Sequence, residues 1–195
     1  MRTLIWSICL LSMALLISCT VAPPAAQAPL KEPPVLGPGV GTKPGQGSRE
    51  TIPSRLERRD FFAALRLMQQ EVHSGRTESS LAKEYDLALR GGMNYCEALR
   101  EKGEIGKSGI CFHQLLNLYP RSLPMTGVLP EQIKQRLCTC SDQLMAKGLA
   151  EYRAGQMQQA IDSWTELLLF NPERTEAKKA INTSSIQLRN LKAKP

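Results

Sequence analysis

The sequence predicts an all-α protein: a short stack of antiparallel helix pairs, about six helices in all, behind a disordered N-terminal tether. Three observations predict it. From Ser141 to Arg174 apolar residues recur every three or four positions, break once at Gly155 and stop at Asn171-Pro172. An earlier stretch repeats that punctuation: Cys96, Gly103, Ser108, Phe112, Leu115 and Pro120 match Gly148, Gly155, Ala160, Trp164, Leu167 and Pro172 at an offset of 52 residues. Between Thr20 and Glu50, by contrast, seven prolines and five glycines leave no apolar period at all. The chain has 195 residues, 42% of them hydrophobic, which suffices for one domain of modest size.

The N-terminus carries a different signal. Met1-Arg2 supplies a positive start, Leu4 to Ile17 an apolar run too short for a confident membrane span, and Ser18-Cys19 small residues at a processing point. Leu16-Ile17-Ser18-Cys19 resembles the lipobox of bacterial lipoproteins. The resemblance implies a signal peptide over residues 1–18, with Cys19 lipidated on its thiol and becoming the new N-terminus. An ordinary secretory signal cleaved nearby is the alternative. Thr20 is not Asp, which by the same resemblance places the anchor on the periplasmic face of an outer membrane. Residues 19–50 then form a tether, which reaches about 90 Å at ~3 Å per residue if fully extended.

The helical domain occupies residues 51–195. Ser54-x-x-Glu57 reads as a capping box opening a helix through Phe61, Ala64, Leu65, Met68 and Val72, which Gly75 ends. Glu78 to Lys102 reads as one long helix with Leu81, Tyr85, Leu89, Tyr95 and Leu99 near one stripe. Gly91-Gly92 inside it costs about 1 kcal/mol per residue against Ala, which close packing of a neighbouring helix explains better than a hinge. Gly103 breaks the chain, and Ile105 to Tyr119 forms the partner helix before Pro120, giving a first pair over residues 78–120. Arg121 to Pro130 is a loop. Pro130-Glu131 then opens a second pair over residues 131–174, with Ile133, Leu137, Cys140 and Leu144 on its stripe. A last amphipathic helix within residues 175–192 covers the open end of the stack.

The Ser141–Arg174 stretch resembles a tetratricopeptide repeat. Leu144, Gly148, Ala160, Trp164 and Pro172 stand at that pattern's offsets, and Gly155 and Leu167 fit it. Two positions depart: Lys147 stands where Leu is usual and Glu151 where Tyr is usual, with Tyr152 next door. The resemblance implies a protein-binding groove lined by the first helix of each pair. Carried onto this chain, the groove positions are Arg90, Met93, Glu97 and Arg100 in the earlier pair, and Asp142, Met145, Leu149, Tyr152 and Arg153 in the later one. Met, Leu and Tyr beside Arg suit an apolar or acidic peptide. Alternatively, several of them pack against the lengthened helices and line nothing.

Four cysteines lie in the helical part. Cys96 and Cys111 flank the Gly103-Glu104 turn at nearly equal distance and so stand level across the hairpin, which favours a disulfide between them; two small buried apolar residues is the alternative. Cys138 and Cys140 point about 200° apart on one helix and cannot easily bond each other. Neither a metal site nor a thiol-redox motif has its usual spacing. His73 and His113 have no evident catalytic partner in sequence, and there is no phosphate-binding loop. The formal charge of +7 is spread along the chain, which suits solubility better than nucleic-acid binding. These features together lead to the expectation of a non-catalytic adaptor or scaffold in the bacterial envelope. It would use no cofactor, metal, nucleic acid or small-molecule substrate, and its partners would be an envelope protein or peptide and, through the lipid, the membrane. An assembly or pilot factor for a secretion, pilus or outer-membrane machine is the alternative, and a thiol-dependent envelope enzyme using Cys138 or Cys140 a further one.

Overall fold

The computed structural model describes residues 50–122 and 127–193. The expected signal peptide, Cys19 and the tether, Glu50 apart, lie outside the described residues. Among the described residues all regular structure is helical. Seven α-helices follow in order: α1 (Ile52–Glu57), α2 (Phe61–His73), α3 (Ala82–Glu101), α4 (Ile105–Asn117), α5 (Pro130–Arg153), α6 (Met157–Leu168) and α7 (Thr175–Lys192). None of them is long and apolar enough to cross a membrane.

Three boundaries differ from the sequence expectation. The first helix starts three residues earlier than Ser54: Thr51 is its cap, the Thr51 Oγ1 accepting the Ser54 N–H at 3.4 Å and the Ser54 Oγ accepting the Thr51 N–H at 3.3 Å. The segment through Val72 is also two helices rather than one. Arg59 adopts a left-handed conformation (φ 58°), and Asp60 restarts the chain by accepting the Ala63 N–H at 3.3 Å. The single long helix expected from Glu78 likewise begins as a 3₁₀ turn (Glu78–Leu81) before α3.

From α3 onward each helix packs on the next in the chain. The turns explain how. Gly103 and Gly155 have φ of +80° and +78°, values that an L side chain rarely adopts. Beside them the Glu104 N–H donates to the Leu99 carbonyl at 3.0 Å and the Gln156 N–H to the Glu151 carbonyl at 2.9 Å, closing both helix ends in the same way. Chain reversal in so few residues sends α4 back along α3 and α6 back along α5. Gly91 and Gly92 admit the α2 and α4 side chains they face. The Phe61 ring lies on Gly91, and a Cβ on Gly92 would stand 2.8 Å from Leu115 Cδ1. Tyr85, Leu89, Phe112, Leu115, Ile133, Leu144, Leu167 and Phe170 form a continuous, fully buried core.

Each hairpin is also joined across its two helices at the same level. In the first, Cys96 and Cys111 form a disulfide with Cα atoms 5.5 Å apart. At the 52-residue offset Cys111 corresponds to Ser163, and the buried Ser163 Oγ donates to Glu151 Oε2 at 2.7 Å. Lys147 stands 3.7 Å from the other Glu151 oxygen. The two departures from the repeat pattern are therefore one polar unit, which ties α5 to α6 through a serine.

Candidate functional site

On α5 burial falls off around the helix. Gly148 faces the core so closely that the Trp164 indole occupies the space of a missing Cβ. Met145 and Tyr152 are half-buried, Leu149 is 40% exposed, and Asp142 and Arg153 are exposed. Cβ directions at 100° per residue put Met145, Leu149, Asp142 and Arg153 on one flank. This flank is an apolar strip with a charge at each end. Its acidic end is already paired, Arg174 Nη1 lying 2.9 Å from Asp142 Oδ1.

Tyr152 does not stand open as a groove residue. Its ring packs against Trp164 with centroids 6.3 Å apart, and its hydroxyl donates to Gln187 Oε1 at 2.7 Å. It fastens α5 to α6 and α7 at once, so a ligand cannot take it without opening that corner.

The positions expected from the earlier pair are largely engaged within the molecule. Arg90 Nε donates to Asp86 Oδ2 at 2.8 Å, and its guanidinium lies over Gly127. Asp86 also accepts the Gly127 N–H at 2.6 Å, and that bond, ahead of the Arg90 contact, holds its carboxyl below the usual range. Asp86 and Arg90 thus fasten the segment before α5 to α3. Glu97 Oε2 accepts from Arg100 Nε at 2.7 Å, while Arg136 Nε lies 2.7 Å from Glu97 Oε1 as an ion pair without hydrogen-bond alignment. Arg136 belongs to the N-terminal extension of α5, so these charges join α3 to α5. Of the earlier set only Met93 remains, half-buried and packed on the core.

The nucleophile and base candidates are distributed as structural groups. Cys140 is a free, fully buried thiol whose Sγ donates to Ser108 Oγ at 3.6 Å, and Ser108 in turn donates to the Cys96 carbonyl at 2.8 Å. Burial pushes its thiol up, against smaller opposing effects of Ser108 and Arg100. A thiol so placed is a poor nucleophile. His113 is half-buried, and burial lowers its pKa more than its hydrogen bond to the Phe170 backbone raises it. His73 Nδ1 lies 2.7 Å from the Gln69 carbonyl at the exposed end of α2. Among the described residues no group of three His, Cys, Asp or Glu side chains converges to hold a metal ion.

Sequence reasoning missed Phe170, whose fully buried ring covers Gly109 of α4. The signal for it was an aromatic residue directly before Asn171-Pro172. Compared with protein-family models, curated proteins and solved structures, the chain matches none of them.

Proposed function

We propose that this chain is a lipid-anchored, non-catalytic adaptor of the bacterial envelope, a tetratricopeptide-like stack that takes a segment of another envelope protein along the open flank of α5. The observation that carries it is Leu149. A leucine 40% exposed between a half-buried methionine and an arginine, on the helix that packs against both α4 and α6, is an unpaired apolar surface on a rigid support. The burial of Cys140 supports a binding role over thiol chemistry.

A photo-crosslinking residue at position 149, in cells, tests it. One stoichiometric adduct is expected from that position and none from position 178 on the exposed side of α7. With the crosslinker moved to the neighbouring exposed position 146, Leu149→Asp with Arg153→Glu should abolish the adduct at an unchanged melting midpoint, and an adduct that persists in that variant refutes the site. The anchor is tested separately, since Cys19→Ser should leave an uncleaved precursor that takes up no fatty acid. Processing and labelling of that variant would show the anchor assignment to be wrong and leave the α5 site standing.

A further inference from the structure

The C-terminal end of α2, the 3₁₀ turn that leads into α3 and the C-terminal end of α4 surround a cleft of about 760 Å³, within the range of small-ligand sites. It shares no residue with the groove positions on α3 and α5. Tyr85 lines it. The Tyr85 ring is fully buried, yet its hydroxyl has no hydrogen-bond partner. Buried polar groups are rarely left so, because the unmade bond is not repaid by water. Burial first and the charge of Glu78 second push the Tyr85 pKa up to about 12, so the hydroxyl is a neutral donor throughout the physiological range. Glu78 lines the same cleft as Tyr85.

The rest of the lining also offers donors. Arg76 contacts Glu71 through Nη1 and Ser80 through Nε, leaving Nη2 unused, and the Arg121 side chain makes no ion pair among the described residues. The one acidic lining residue, Glu78, already accepts the Arg121 and Ser122 N–H groups at 3.2 and 2.7 Å. Arg76 is balanced by Glu71 and Arg121 by Glu78, so what is left over is donors without acceptors rather than net charge, and among anions a singly charged acceptor upsets that balance less than a dianion does. Val72 and the Tyr119 ring supply apolar surface alongside.

We propose that this cleft is a binding site for a monocarboxylate group, which accepts from the Tyr85 hydroxyl between Arg76 and Arg121 and lays its aliphatic stem on Val72 and Tyr119. The carboxylate belongs either to a free small organic acid or to the C-terminus of a peptide.

The test is a ¹⁵N NMR titration of the full chain in detergent at constant ionic strength, following the Arg121 and Ser122 amides. The probes are butyrate, acetyl-trialanine as the free acid, the same peptide as its amide, and inorganic phosphate. Saturable shifts are expected from the carboxylates and not from the amide or phosphate. Equal affinity for butyrate and the free-acid peptide assigns the site to organic acids, and tighter binding of the peptide assigns it to chain ends. Tyr85→Phe should weaken binding about tenfold, as for one hydrogen bond to a charged group. It should not lower the melting midpoint, because it keeps the ring and removes an unpaired hydroxyl. Arg121→Gln should weaken binding at least as much. The proposal is overturned if no carboxylate saturates the signals, if the amide or phosphate binds equally well, or if Tyr85→Phe lowers the midpoint while binding is unchanged.

Discussion

The effect of Gly148→Ala should depend on what stands at position 164. In the native chain a Cβ on Gly148 would stand 2.6 Å from Trp164 Cε2 and 2.8 Å from Cδ1, with Nε1 closer still. The indole cannot swing aside, being 2% exposed, packed on Tyr152 and tied through Nε1 to the Met145 carbonyl at 3.3 Å. Overpacking of this kind costs about 1–3 kcal/mol, and replacing Gly by Ala inside a helix returns about 1 kcal/mol. The net expectation is a loss of about 0–2 kcal/mol. Trp164→Ala alone should cost about 3–5 kcal/mol, a large part of a domain's stability. In that background the space over Gly148 is empty, so Gly148→Ala should become stabilising by about 1 kcal/mol. The two positions should therefore couple by about 1–3 kcal/mol, which a double-mutant cycle isolates. Urea unfolding followed by far-ultraviolet circular dichroism of the four chains measures it. An effect of Gly148→Ala that agrees in both backgrounds within about 0.5 kcal/mol would refute the packing account of this hairpin.

Replacing Cys96 and Cys111 together by Ala should cost at most about 3 kcal/mol, the loop-closure value for a bridge spanning about 15 residues, and should lower the urea midpoint measurably. Tyr152→Phe should cost about 0.5–1.5 kcal/mol for the bond to Gln187, whereas Arg153→Ala should stay within about 0.5 kcal/mol; equal effects in thermal melts would return Tyr152 to the open flank. His113 is held below its ordinary value in the fold, so as pH falls the unfolded chain takes up its proton first. Its stability contribution is complete above about 6.5, the unfolded value, and is lost as pH drops toward the folded one. His113→Gln should flatten the stability profile over that window, and an unchanged slope would assign it to other groups.

Helix ends set by local chemistry were legible in the sequence. Gly103, Gly155 and Pro130 act through their own backbone, and the level placement of Cys96 and Cys111 follows from counting outward from a turn. The break at Arg58-Arg59 was not legible as a glycine would have been, because an ordinary side chain occupies the left-handed conformation there; only Asp60 marks the restart. The internal partners of the α3 positions were hidden for a different reason. Whether Glu97 faces a partner or Arg136 depends on how the extra turns of α5 cross α3, a long-range relation that no local period encodes. The cleft at Tyr85 is similarly hidden, since three helix ends separated by dozens of residues meet there. Lys147 and Glu151 depart from the repeat pattern in sequence, and only the place of Ser163 opposite them gives the departure a reason.

The two cross-hairpin joins differ in when they can be made. The bond from Ser163 to Glu151 forms as soon as α5 meets α6, in any surroundings, and breaks whenever they part. The bond between Cys96 and Cys111 needs an electron acceptor, and once made it survives local opening. Among reduced thiols the serine join of α5 and α6 can therefore be made while α3 and α4 are held by packing and by the bond from Ser108 to the Cys96 carbonyl. Transfer to an oxidising compartment completes the second fastening and makes it permanent. The same fold thus records where it has been: the join across α3 and α4 is a covalent mark of oxidation, and the serine join across α5 and α6 forms without one.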